Sequence, residues 1–378
     1  MGRMGISWRK VIGCAIVGAL MTPACSSRAT DPVTTLGPIV TVQPVECEPG
    51  SGVDALLVPR CGVLLGTIDA ESSGTVRLGV AHQEATVRAI QMETSGSGEN
   101  TFRFDLLRVY QRGINGAAGE LRSRLADLEA NPGRLLYLSV KVDRGLGAWA
   151  NVADGQHDDG LQTFGRAVAE GGHTIFLSLH HEPEGDEEGS HQEYVAMWRH
   201  AHGVIEAAIN ESDGAGDVVW VMNYQGHVGG ENLQAVDAYY PGNDYVDWLS
   251  YNPYNWAGCH DGADWRSFYD VASPMYRYLT TEPLFLNPDG SPKPILIGET
   301  ASNEDPDDPN RKAEWIRDLA ATLEGGRLPQ IKAVVYFNQA APAFCDRYWD
   351  TSEASAAAFA ELATDPFFDP QASDPGAE

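Results

Sequence analysis

The chain has 378 residues, 43% of them hydrophobic, which is enough for one large domain of roughly 250–320 residues with a substantial core. Its formal charge is −27, from 53 acidic and 26 basic residues. Such a field repels nucleic acid and anionic membranes, so no nucleic-acid partner is expected, and it suits a neutral partner such as a polysaccharide.

Arg3, Arg9 and Lys10 form a basic start, Val11 to Met21 a short apolar stretch, and Thr22-Pro-Ala-Cys25-Ser-Ser a small-residue cleavage site. Residues 1–25 therefore read as a signal peptide of the lipoprotein type, with Cys25 as the lipidated cysteine or cleavage nearby without lipid. The apolar stretch is too short to remain as a spanning helix. Export to the medium or the cell surface is expected, with membrane contact only through the lipid. Residues 26–52 read as an extended tether, rich in Thr, Pro and Val at its start.

From residue 53 apolar runs alternate with amphipathic stretches. Eight runs have the length and composition of buried parallel strands: Gly62–Ile68, Phe104–Tyr110, Leu135–Val142, Thr174–His181, Val218–Tyr224, Tyr245–Tyr251, Pro294–Glu299 and Ile331–Asn338. Between them, Tyr194, Met197, Trp198, Ala201, Ile205 and Ala208 recur at helical spacing, as do Trp315, Ile316, Leu319, Ala320 and Leu323. Between the fifth and sixth strands the helix is short and ends at Pro241-Gly242. Eight strand–helix units in one domain, residues 53–365, predict an α/β fold of the (β/α)8 barrel type. No Gly-x-Gly-x-x-Gly follows the first strand, which weighs against a dinucleotide site. Residues 366–378, rich in Pro and acidic residues, read as a flexible tail.

In such a barrel the C-terminal strand ends gather at one face. Glu182 ends the run Phe176-Leu-Ser-Leu-His-His-Glu182, and Glu299 ends Ile295-Leu-Ile-Gly-Glu299. Two carboxylates facing each other there can break a glycosidic bond, one as acid/base and one as nucleophile. Desolvation at a strand end raises the pKa of Glu182 and suits it as the acid. Arg108 on the second strand could hold Glu299, and Gly298 allows close approach beside it. His180 and His181 are neighbours on a strand, where successive side chains point to opposite faces, and no His-Glu-x-x-His spacing is present. Neither a metal nor a cofactor is expected. Tyr110, Tyr251, Tyr254, Trp256, Tyr336, Phe337, Tyr348 and Trp349 cluster near strand ends, where rings could support sugar faces. The Tyr194/Trp198 stripe reads as core. If Cys25 carries lipid, Cys47, Cys61, Cys259 and Cys345 remain as an even set in an exported chain and suggest disulfides. Cys47–Cys61 would close a local loop; Cys259 and Cys345 both lie in loops expected at the catalytic face.

These residues resemble glycoside hydrolase family 26, within a retaining clan of (β/α)8 enzymes. The resemblance covers roughly residues 60–360 and rests on His181-Glu182, Val218-Val-Trp-Val-Met-Asn223, Tyr240-Pro-Gly-Asn-Asp-Tyr-Val-Asp-Trp248, Asn252-Pro-Tyr254-Asn, Gly298-Glu299 and Val335-Tyr-Phe-Asn338. It implies Glu182 as acid/base, Glu299 as nucleophile, His181 as a sugar-contacting neighbour, and Tyr254 (or Tyr251) as the tyrosine that positions the nucleophile. Arg108, Trp256, Phe337 and Trp349 complete the candidate substrate-binding set. The implied protein is a retaining β-glycosidase acting on a polysaccharide or oligosaccharide, endo-β-1,4-mannan first; separately, a monomer is expected. Alternatives are β-1,3-xylan, mixed-linkage β-glucan, or a non-catalytic carbohydrate-binding lipoprotein. The segment Pro183-Glu-Gly-Asp-Glu-Glu-Gly-Ser190 departs from the family pattern, because it lacks the aromatic residues that line a mannan groove.

Overall fold

The computed structural model describes residues 51–69, 79–95, 102–226, 231–341 and 345–370. Cys25, Cys47, the signal segment and residues 371–378 lie outside them. Eight strands, β1 (Leu64–Ile68), β2 (Leu106–Arg112), β3 (Leu135–Lys141), β4 (Thr174–Leu179), β5 (Asp217–Tyr224), β6 (Trp248–Tyr251), β7 (Ile295–Thr300) and β8 (Ile331–Tyr336), form a closed barrel in chain order. All eight pairings are parallel, including the closing pair between β1 and β8. Most strand residues are buried, since helices cover the outside and side chains fill the inside; this is why the strands read as continuous apolar runs.

The helices are α1 (Val80–Ser95), α2 (Ala117–Ala130), α3 (Ala148–Ala153), α4 (Asp158–Gly171), α5 (His191–Asn210), α6 (Glu231–Ala238), α7 (Phe268–Thr281), α8 (Arg311–Glu324) and α9 (Glu353–Ala363). The α5 helix shows how sequence sets position. Ser190 accepts from the Glu193 amide while the Glu193 carboxylate returns to the Ser190 amide, so the helix starts where this capping box falls. Its stripe from Tyr194 to Ala208 is buried. Each fully buried apolar side chain there contributes about 1.5–3 kcal/mol. The same cap ends the loop that follows β4, which matters for the site.

Cys259, after β6, and Cys345, after β8, are joined in a disulfide with Cα atoms 5.0 Å apart, tying two loops at one end of the barrel. Cys61 is also disulfide-bonded. The tail expected from residue 366 is packed as far as Pro370: Phe368 is buried, the Val63 amide donates to the Phe367 carbonyl at 2.9 Å, and the Gly52 amide donates to the Pro370 carbonyl at 3.1 Å. An apolar residue among the acidic ones anchors this stretch, which composition alone reads as loose.

Candidate active site

The β4 strand stops at Leu179, and the chain then leaves strand geometry. His180 and Glu182 adopt left-handed backbone, with φ of 48° and 55°. Non-glycine residues in that region cost of order 1–3 kcal/mol each and concentrate where function demands a particular side-chain direction. The turn is held by the His180 amide on the Val140 carbonyl (2.7 Å) and the Glu182 amide on the Asn223 carbonyl (2.8 Å). It sends the two histidines apart. His180 is fully buried, packs edge-on against Trp149 and donates through Nε2 to the Asp186 carbonyl at 2.8 Å. His181 instead shares a 2.6 Å hydrogen bond between Nδ1 and Ser139 Oγ, and lies 5.5 Å from the ring of Tyr110. Burial holds the pKa of His181 well below the usual range, so the ring beside Glu182 is neutral.

Glu299 lies at a bulge in β7. Ile297 pairs with Val334 and Thr300 with Tyr336, so Gly298 and Glu299 together stand opposite Val335. A bulge of this kind re-aims a side chain, and here it breaks the simple alternation of Ile295, Ile297 and Glu299. Tyr110 Oη donates to Glu299 Oε1 at 2.8 Å and Tyr254 Oη to Oε2 at 2.6 Å. Burial pushes both phenols well above their ordinary pKa, so they remain donors. Arg108 Nη1 makes an ion pair with Oε1 at 3.2 Å, outside hydrogen-bond alignment. The guanidinium lies between the rings of Tyr110 (4.8 Å) and Tyr137 (4.7 Å). Gly298 makes room for this: a Cβ there would stand 2.6–2.8 Å from Asn223 Nδ2, Asn252 Oδ1 and Arg108 Nη1.

A buried polar chain joins the two glutamates beneath the site. Arg108 Nη2 donates to Asn223 Oδ1 at 3.2 Å, Asn223 Nδ2 to Asn252 Oδ1 at 3.1 Å, and Asn252 Nδ2 to Glu182 Oε1. Burial, and then the charge of Glu299, raise the pKa of Glu182 to about 7. Burial also raises that of Glu184 to about 7; one of its oxygens accepts from the Gln225 amide at 2.8 Å. A group that must donate a proton works only below its pKa. If Glu182 is the acid, kcat/KM should therefore fall as pH rises through about 7. A pH profile of Glu184→Gln decides which carboxyl is read: the limb should stay in place, and its displacement would assign it to Glu184.

The other candidate residues divide. Trp256 is half-buried and tilted against Tyr254 at 5.3 Å, and Phe337 meets Tyr254 edge-on at 5.9 Å. Arg347 lies over Tyr254 at 4.0 Å and Trp256 at 4.4 Å. Two assignments are corrected. Trp349 is 1% exposed and stacks on Phe359 of α9, where the core takes up its ring. Arg108 has no exposed surface to offer a sugar and makes its ion pair with Glu299. Of the two tyrosines, Tyr254 reaches Glu299, whereas Tyr251 Oη is committed to the Ala272 carbonyl. Residues that the sequence reading did not place in the site are Tyr110, Ser139, Asn252, Arg347 and Glu184. Tyr110 was visible among the strand-end aromatics and Asn252 in its Asn-Pro-Tyr-Asn run; the others carried no local signal.

A closed (β/α)8 barrel with glutamates at the ends of β4 and β7, one held by tyrosines and one protonated near neutrality, resembles glycoside hydrolase family 26. No protein-family profile matches the sequence. Over 201 residues the chain is 28% identical to endoglucanase H of Acetivibrio thermocellus, a match covering 50% of this chain and 20% of that protein. The chain thus spans only a fifth of the curated relative it matches. Among solved structures, GH26C from a Muricauda species aligns with a TM-score of 0.57 at 13% identity, covering 82% of this chain and 88% of that one. An engineered protein aligns at 0.54 and 14% identity, covering 86% and 76%. At these identities the structural likeness concerns the fold.

Proposed function

We propose that this chain is a retaining β-glycoside hydrolase that cleaves a β-linked polysaccharide by double displacement, with endo-β-1,4-mannan as the first substrate. The observation that carries this reading is the unequal treatment of two carboxyls at one barrel face. Glu299 receives two phenolic hydrogen bonds and an arginine contact, whereas Glu182 keeps a proton to about pH 7. Pairs of carboxyls in contrasting environments divide into acid and nucleophile. In the first step Glu299 attacks the anomeric carbon while Glu182 protonates the departing oxygen. In the second, Glu182, now ionised, takes a proton from water as that water displaces Glu299. Tyr110, Tyr254 and Arg108 orient Glu299 and accept no proton in either step. Sugar binding alone would need no such division, which disfavours a silent lectin-like scaffold.

A second reading, a β-glucan substrate, is favoured by the relative named as an endoglucanase. The loop after Glu182 also lacks aromatic residues. Product profiles on mannan, glucomannan, β-1,3-xylan and lichenan separate these readings. Proton NMR of the first-formed product should show the β-anomer; an initial α-anomer would overturn double displacement, and failure to cleave any β-linked polymer, neutral or acidic, would count against hydrolysis.

A further inference from the structure

We propose that the wall of the cleft beside Glu182 recognises a carboxylate on an acidic sugar, so that the glycan accepted there carries uronate units or carboxylated substituents. This rests on the hydrolase reading and narrows its substrate class. The cleft at the ends of β2, β3 and β4 encloses about 480 Å³, and its charged lining consists of Arg112, Lys141 and Arg144 against Glu182 and Asp186. In a chain of net charge −27, that concentration of cations is local and runs against the surrounding field.

The carboxylates pair with two of these three cations. Lys141 Nζ and Arg112 Nη2 share a single oxygen, Asp186 Oδ2, at 2.8 and 3.0 Å. The next carboxylate, Glu188, is 4.0 Å from Arg112 Nη1, and its other oxygen accepts from the Gly145 amide at 2.6 Å. Arg144 is exposed at the rim of the cleft and has no carboxylate partner among the described residues. Its loop is nevertheless placed, because Glu188 holds the Gly145 amide through its side chain and the Gly147 amide through its carbonyl at 3.0 Å. Guanidinium and ammonium groups only donate hydrogen bonds. Sugar hydroxyls both donate and accept, whereas a carboxylate only accepts and can take two parallel bonds from an arginine. The wall matches the carboxylate.

Binding tests this without relying on turnover. The full chain carrying Glu182→Gln is titrated calorimetrically with a β-1,4-linked mannuronate tetrasaccharide and with mannotetraose, its counterpart bearing hydroxymethyl groups in place of the carboxylates. The acidic ligand should bind about 10–100-fold more tightly, the range of one or two hydrogen bonds to a charged group. Adding Arg144→Glu should cut that ratio roughly tenfold. Equal affinity for the two ligands, binding of neither, or a ratio indifferent to Arg144→Glu overturns the proposal. The hydrolase reading fails separately, if the unsubstituted chain cleaves no β-linked polymer while the affinity ratio still favours the acidic ligand.

Discussion

Glu182→Ala should lower turnover of natural polysaccharide by roughly 10²–10⁴-fold, the usual contribution of a positioned general acid. The leaving sugar oxygen is a poor leaving group unless protonated, and the variant has no carboxyl to protonate it. Aryl glycosides with activated leaving groups need little such help, so their first step should suffer far less. Their second step should then become slow, because no base activates water, and a covalent intermediate on Glu299 should accumulate. Azide attacks that intermediate without a general base, so adding it should speed turnover and yield a β-glycosyl azide. Glu299→Ala should behave differently: with no nucleophile, azide gives at best the α-azide by direct displacement. A β-azide from Glu299→Ala and none from Glu182→Ala would show that the two roles are reversed.

Removal of Arg108 should be felt in stability as well as in rate. Arg108→Met leaves Glu299, 8% exposed, with two phenols and without its ion-pair partner, and strips Asn223 of a donor. Breaking a buried ion pair from one side typically costs about 3–5 kcal/mol, because the remaining charge stays desolvated. The methionine fills part of the space between Tyr110 and Tyr137, so the loss is one of charge more than of volume. Chemical denaturation should show this cost in Arg108→Met, with part of it recovered in the double variant Arg108→Met/Glu299→Gln, where no charge is stranded. A single variant as stable as the parent would mean that the pair contributes nothing, and would leave Tyr110 and Tyr254 as the sole positioning groups of Glu299.

Much of the architecture was legible in the residues themselves. The eight apolar runs correspond to the eight strands, with ends displaced by a few residues, because burial on both faces imposes a composition that survives without knowledge of partners. The α5 stripe and its start at Ser190 are equally local, since helical spacing and a capping box act within one or two turns. Glu182 and Glu299 could be singled out for the same reason: each ends an apolar run. What closure of the barrel decided is everything that joins distant segments. Tyr110 and Glu299 are 189 positions apart, and Asn252 and Glu182 are 70 apart. Trp349 and Trp256 look alike in sequence, yet α9 covers one and the site keeps the other half-exposed. The left-handed residues at the end of β4 and the bulge in β7 likewise follow from neighbouring strands that hold them. Hydrophobic periodicity is a property of a few consecutive residues, but desolvation, ion pairing and the pKa of a carboxyl depend on which side chains the folded chain brings within a few ångströms of one another.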